Sequence, residues 1–95
     1  MNTYLLFVAY HAKRGQAEAF VRELEESGAA AAVRAEEGCI RYDYFFSAAD
    51  PDTVLLFEEW ESVAHQQIHL TQPHIAQIKA AKEKYIIDAE FRDIK

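Results

Sequence analysis

Three of the chain's four histidines fall in one short stretch, HQQIHLTQPH, from His65 to His74. Imidazole exchanges protons near neutral pH more readily than any other unperturbed side chain, and it is the commonest metal ligand. His65 and His69 stand four apart, the spacing at which two imidazoles on one helical face can share a zinc ion. In the zinc-protease pattern of that spacing, a glutamate base follows the first histidine. Here Gln66 follows it, and an amide takes no proton at neutral pH. No third ligand accompanies the pair. The stretch therefore reads as a metal-free proton-transfer site or as an ordinary helix surface.

Orientation decides between these. Ile68 is the one strongly apolar residue of HQQIH, and Ala64 lies four before it, so that face is expected to pack inward. His65 then sits beside the stripe as a solvated side chain. His69 lies near the junction of two short helices, where it works, caps or packs. Further along the candidates, Glu58 and Trp60 point to one face of a strand and Glu59 to the other. An acid on a covered face needs a partner or a raised pKa, and Arg41 on the neighbouring strand could serve either glutamate. Tyr42 and Tyr44 share a strand face, where phenols can orient a substrate oxygen or simply pack. Cys39 has no histidine or helix N-terminus obviously beside it and reads as inert. There is no Gly-rich phosphate loop and no nucleotide fingerprint.

The elements that must position these groups follow from periodicity. Thr3–His11 is a continuously apolar strand, expected to be covered on both faces. Ala17, Phe20, Val21 and Leu24 recur at helical spacing and predict a helix from about 15 to about 36, weakened at Gly28 and stopped by Gly38. Cys39–Ser47 is a second strand, with Ile40, Tyr42, Tyr44 and Phe46 on one face and Arg41, Asp43 and Phe45 on the other. Asp50-Pro51-Asp52 turns the chain into a third strand, Thr53–Glu61, and the two strands form a hairpin. Ser62 can cap a short helix through about Leu70, and Thr71 another with Pro73 in its first turn. Ile75 and Ile78 lie on the inner stripe of that last helix. YIIDAEFRDIK closes the chain as a fourth strand, with Ile87, Ala89 and Phe91 opposite Asp88, Glu90 and Arg92.

The order β-α-β-β-α-β is the ferredoxin-like α+β motif, an antiparallel sheet with helices on one face. All 95 residues fit a single domain. A chain of this size buries only roughly 60% of its unfolded surface, yet 51% of its residues are apolar. Both observations imply a second buried surface, a homodimer formed through the open sheet face, with a small-molecule cavity between each sheet and its helices. The net charge of −6 argues against nucleic acid and anionic membrane as partners. A single cysteine, no basic n-region and an N-terminal apolar run too short to span a bilayer predict a cytoplasmic protein.

FEEWESVAHQQIHLTQPHI resembles the signature of the antibiotic biosynthesis monooxygenase family. In that family an E-x-W or E-x-Y ends the third strand, a small polar residue follows, and a short helix ends in His before a T-x-P-H or S-x-x-H step. Here these are Glu58, Trp60, Ser62, His69, Thr71, Pro73 and His74. Glu36 to Tyr42 similarly resemble the family's lead into the second strand, and the likeness covers nearly the whole chain. The resemblance implies a dimeric α+β barrel and a cofactor-free, metal-free monooxygenase acting on a small quinol-like or aromatic substrate. It implies catalytic roles for His69, as base, and Glu58. Trp60, Tyr42, Tyr44, Phe46 and His74 would bind substrate. The same parts would serve an isomerase of a small (phospho)hydroxyketone, or a binding module without turnover. Haem-degrading relatives use an Asn in the first strand and a His in the last helix. YLLFVAY has no Asn, and Lys79 stands about where that His would fall.

Overall fold

Alternating and helical apolar patterns along the chain settle into eight elements. The computed structural model describes residues 2–94: β1 (Tyr4–Ala12), α1 (Ala17–Glu26), α2 (Ala29–Arg34), β2 (Cys39–Phe46), β3 (Thr53–Trp60), α3 (Val63–His69), α4 (Ile75–Tyr85) and β4 (Ile86–Ile94). The strands pair antiparallel in the order β2-β3-β1-β4, the ferredoxin-like arrangement. Leu6, Val8 and Tyr10 of β1 stand opposite Glu58, Leu56 and Val54 of β3, all buried beneath the helices. Phe20 of α1 and Leu24 fill this layer, and Ile78 and Ala81 of α4 close it. Phe20 meets Tyr10, Tyr44 and Tyr85 edge-on at 5.5, 6.2 and 6.4 Å. No helix among the described residues is long and apolar enough to cross a membrane.

The opposite face carries no helix. Phe7 pairs with Phe57, Ala9 with Leu55 and Leu5 with Glu59 across β1 and β3, and all are half-buried. Arg41 stands opposite Glu59 but bonds neither glutamate. Its Nε donates to Asp43 at 2.9 Å, and its guanidinium lies 5.1 Å from the Phe57 ring centroid. The proposed Arg41–Glu58 pairing is excluded by the pleat, which puts the two on opposite faces.

Three sequence expectations change. The helix expected over 15–36 is two helices, because Gly28 adopts φ 87°, a left-handed conformation that ends α1 outright. Arg34 then forks onto Glu25 at 2.9 and 2.8 Å and donates from Nε to the Tyr42 carbonyl, fixing α2 against both α1 and β2. Thr71 does not cap α4. Its hydroxyl donates back to the Ile68 carbonyl at 2.7 Å and finishes α3, leaving His74 as the α4 N-cap without a side-chain bond. Ile40 and Phe46 are each 50% exposed, because a register shift after Cys39 disturbs the first pair and β2 outruns the helices at its other end.

Gly38 ends the approach to β2 with φ 85°, and a Cβ there would overlap the His65 ring. Gly28 has the same hand but open space around it. Gly28→Ala is expected to cost about 1–2 kcal/mol from the left-handed backbone alone. Gly38→Ala should cost clearly more, because His65 must also move. Denaturant unfolding of both variants checks the order; equal losses would remove the His65 contact from the account.

Candidate active site

Ser62 starts α3 in extended backbone, and its Oγ accepts from the His65 N–H at 3.2 Å. The same Oγ lies 2.8 Å from His65 Nδ1. His65 is therefore half-buried over Gly38, not a solvated side chain as its place beside the apolar stripe suggested. With the cap set there, Gln66 and His69, three apart, turn toward the sheet and are buried at 7% and 4% exposure. Ala64 and Ile68 face outward, the reverse of the sequence expectation, and Ile68 is 57% exposed.

His69 is held from three sides. Its ring stacks at a tilt on Trp60, centroids 4.8 Å apart, and Tyr42 stands 6.0 Å away. Its Nδ1 lies 2.8 Å from Oε2 of Glu36, and the Glu36 carboxylate is itself nearly buried. A carboxylate only accepts, so Nδ1 carries a proton toward Glu36, and Nε2 is the nitrogen not engaged by it. His69 lines the cavity between sheet and helices, and Nδ1 is taken, so Nε2 is the nitrogen left to face it. That is the geometry of an oriented general base.

The cavity holds about 450 Å³, enough for a small aromatic molecule. Glu58, Tyr42, Gln66 and His69 line it on one side, and Ile75, Ile78, Lys79 and Lys82 of α4 on the other. The Trp60 indole donates to Oε1 of Glu58 at 3.0 Å. Burial pushes the Glu58 carboxyl above its ordinary range, against the opposing pull of Trp60, His69 and Lys82. Burial likewise raises the phenols of Tyr42, Tyr44 and Tyr10, which therefore serve as neutral hydrogen-bonding groups. Burial pushes the Cys39 thiol up to about 11, which makes it inert at neutral pH.

Of the residues singled out in the sequence, Glu58, Tyr42 and His69 meet at the cavity. Trp60 stands behind His69, fully buried. Tyr44 reaches the site only through Tyr42, hydroxyl to hydroxyl at 3.2 Å. His74 does not line the cavity; its Nε2 bonds Oε2 of Glu36 at 2.6 Å. Phe46 lies outside the site altogether. The sequence reading gave no role to Glu36, although an acid just past the C-terminus of α2 opposes the helix dipole and so asks for another reason to be there. Lys79 and Lys82, the latter given no role above, continue the Ile75–Ile78 stripe at helical spacing.

His65 and His69 do not converge on a metal position. Among the described residues, ligand atoms of Glu36, His69 and His74 do lie within 4.8 Å of one another. That donor set suits a divalent transition ion. Both nitrogens, however, sit at hydrogen-bonding distance from a single carboxylate oxygen, closer than the roughly 3 Å separation of ligand atoms around a metal with 2.0–2.2 Å bonds. The cluster is complete as a hydrogen-bonded one.

The model of the family described as antibiotic biosynthesis monooxygenase matches residues 3–81. The curated protein named "Probable quinol monooxygenase YgiN" of Escherichia coli K12 is 31% identical over 65 residues, covering 60% of this chain. The match spans 62% of that relative's length, less than two thirds of it. Among solved structures, PA3566 from Pseudomonas aeruginosa superposes with a TM-score of 0.81 at 28% identity, over 99% of this chain and 94% of that one. A conserved protein from Methanosarcina mazei Go1 superposes at 0.87 over 100% and 93%, and its 18% identity makes that a likeness of fold.

A buried carboxyl with a raised pKa contributes stability below its unfolded pKa, near 4.5, and loses that contribution as pH rises through the folded value. Glu58→Gln keeps an acceptor for the Trp60 N–H and removes the titration. The variant should match wild type in thermal stability near pH 4 and exceed it at pH 7. A deficit that grows with pH would show that Glu58 is held as a paired carboxylate.

Proposed function

This chain belongs to the antibiotic biosynthesis monooxygenase family, and we propose that it oxidises a small quinol-like substrate with molecular oxygen, with His69 as base. One observation carries the reading: His69 lines the cavity with its Nδ1 held by the nearly buried Glu36 carboxylate, which leaves Nε2 for a substrate proton. The printed name of the Escherichia coli relative supports a quinol as the substrate class.

The chemistry needs little from the protein. Nε2 of His69 takes a phenolic proton, and the Glu36 carboxylate steadies the imidazolium formed. The quinolate is electron-rich enough to reduce oxygen itself. Hydroperoxide forms at ring carbon and loses water, so quinol plus O₂ becomes hydroxyquinone plus H₂O. Glu58 and Tyr42 hydrogen-bond the substrate oxygens. Leu6, Ile75 and Ile78 exclude water from the anion. Trp60 holds the ring of the base, and Tyr44 orients Tyr42.

A homodimer belongs to the same proposal. The helix-free face with Phe7, Phe57 and Leu55 at its centre is the surface a second copy would cover. Phe57→Glu puts a charge in the middle of that face. Sedimentation should then show wild-type dimer and variant monomer; a wild-type monomer at micromolar concentration sinks the assignment.

The catalytic test is oxygen uptake by chelator-treated protein over a panel of quinols. His69→Ala should lose about 10²-fold or more above background, with the dimer intact. Glu36→Gln, which cannot balance the imidazolium charge, should lose less, about tenfold. A fully active His69→Ala protein removes His69 as base, and no uptake with any quinol removes the oxygenase.

A further inference from the structure

We infer that Lys79 and Lys82 form a subsite for an anionic substituent, so that the molecule this cavity takes is an aromatic hydroxy compound bearing a carboxylate or phosphate group. The inference rests on the cavity being the substrate site and goes beyond the reaction proposed for it.

Acids outnumber basic residues 16 to 10 in this chain, so a lysine does not lack for partners. Most of the other basic side chains have found one. Arg22 pairs with Glu18, Arg34 with Glu25, Arg41 with Asp43, Lys84 with Glu23 and Arg92 with Glu90. Among the residues whose side chains are described, Arg14, Lys79 and Lys82 have neither an ion pair nor a side-chain hydrogen bond, and of these only the two lysines line the cavity. They stand three apart on α4, where like charges repel, and both line the cavity. Lys82 is also half-buried, its Nζ 5.5 Å from the Tyr10 ring centroid. Desolvation and the neighbouring Lys79 both push its pKa down.

Glu58 does not answer this charge. Glu58 exerts a Coulombic pull on Lys82, but its Oε1 is taken by Trp60 and burial drives it toward the neutral acid. A ligand anion would meet two ammonium groups and relieve their repulsion. Its place in the cavity is set by the helix. His69 lies beside the start of α4 at Ile75, and Lys82 is seven residues further on, roughly 10 Å at 1.5 Å per residue. Two fused rings with an acid substituent span that distance, putting a phenol at His69 and the anion at the lysines. Ile78 and Leu6 supply the apolar floor between.

Binding of 2-naphthoate, 2-naphthamide and 2-naphthyl phosphate by calorimetry tests this without any turnover. Wild type should hold naphthoate about tenfold tighter than the neutral amide, the worth of one charge-assisted hydrogen bond. The preference should shrink at high salt, fall in Lys79→Gln and Lys82→Gln, and vanish in the double variant, with thermal melts confirming that each is folded. A phosphate ester binding tighter than the carboxylate identifies a phosphorylated substrate, and the reverse order a carboxylated one; either supports the subsite. Equal affinity for acid and amide overturns it. So does a preference that survives the double substitution, or failure of folded wild type to bind any of the three. His69→Ala should keep the anion preference, so that a lost base and a lost subsite are told apart.

Discussion

One carboxylate oxygen, Oε2 of Glu36, receives hydrogen bonds from two imidazoles that arrive on different helices. His69 ends α3, His74 begins α4, and Glu36 follows α2. Three helix ends are thereby tied at a point, and each is there for a local reason. Gly28 turns α2 out of line with α1. Gly38 lets His65 lie against the backbone, and Ser62 sets where α3 starts and hence which of its residues face the sheet.

The sheet supplies the opposite condition. Its helix-facing side is a packed apolar layer, and into it the chain sends Glu58, Tyr42 and Tyr44 beside Trp60. Buried polar groups are costly unless bonded, and here they bond one another: indole to carboxyl, phenol to phenol. Among the described residues no buried side-chain nitrogen or oxygen lacks a partner. The result is a wall of mutually bonded polar groups, facing an imidazole whose Nδ1 is held by Glu36.

Much of this was legible in the sequence. Strand alternation placed Glu58, Trp60, Tyr42 and Tyr44 on one face, and the turn at Asp50-Pro51-Asp52 gave the hairpin that brings them together. The element order gave the fold. What escaped was whatever depended on two segments far apart in the chain. Glu36 and His69 are 33 residues apart, and their contact is not written in either segment. The place of Lys79 and Lys82 at the cavity escaped as well, because spacing alone does not say that the helix covers a cavity instead of a packed layer. The single long helix failed for a different reason: periodicity weighs a glycine as a small loss of helix propensity, whereas Gly28 in a left-handed conformation ends the helix and starts another.

The misread face of α3 carries the broader lesson. Helical amphipathicity says that the apolar face goes inward, and it holds where the interior is a packed core. Val63, Ile68 and Leu70 are instead 54%, 57% and 51% exposed, while Gln66 and His69 are buried. This helix borders the cavity, and its polar residues Gln66 and His69 are the ones turned to it. A short helix with its polarity inverted, capped at Ser62, is what a site looks like when described only by burial. The inversion has a cost in exposed apolar surface. The fold retains it because rotating α3 to bury Ile68 would withdraw His69 from Glu36, from Trp60 and from the cavity in one movement.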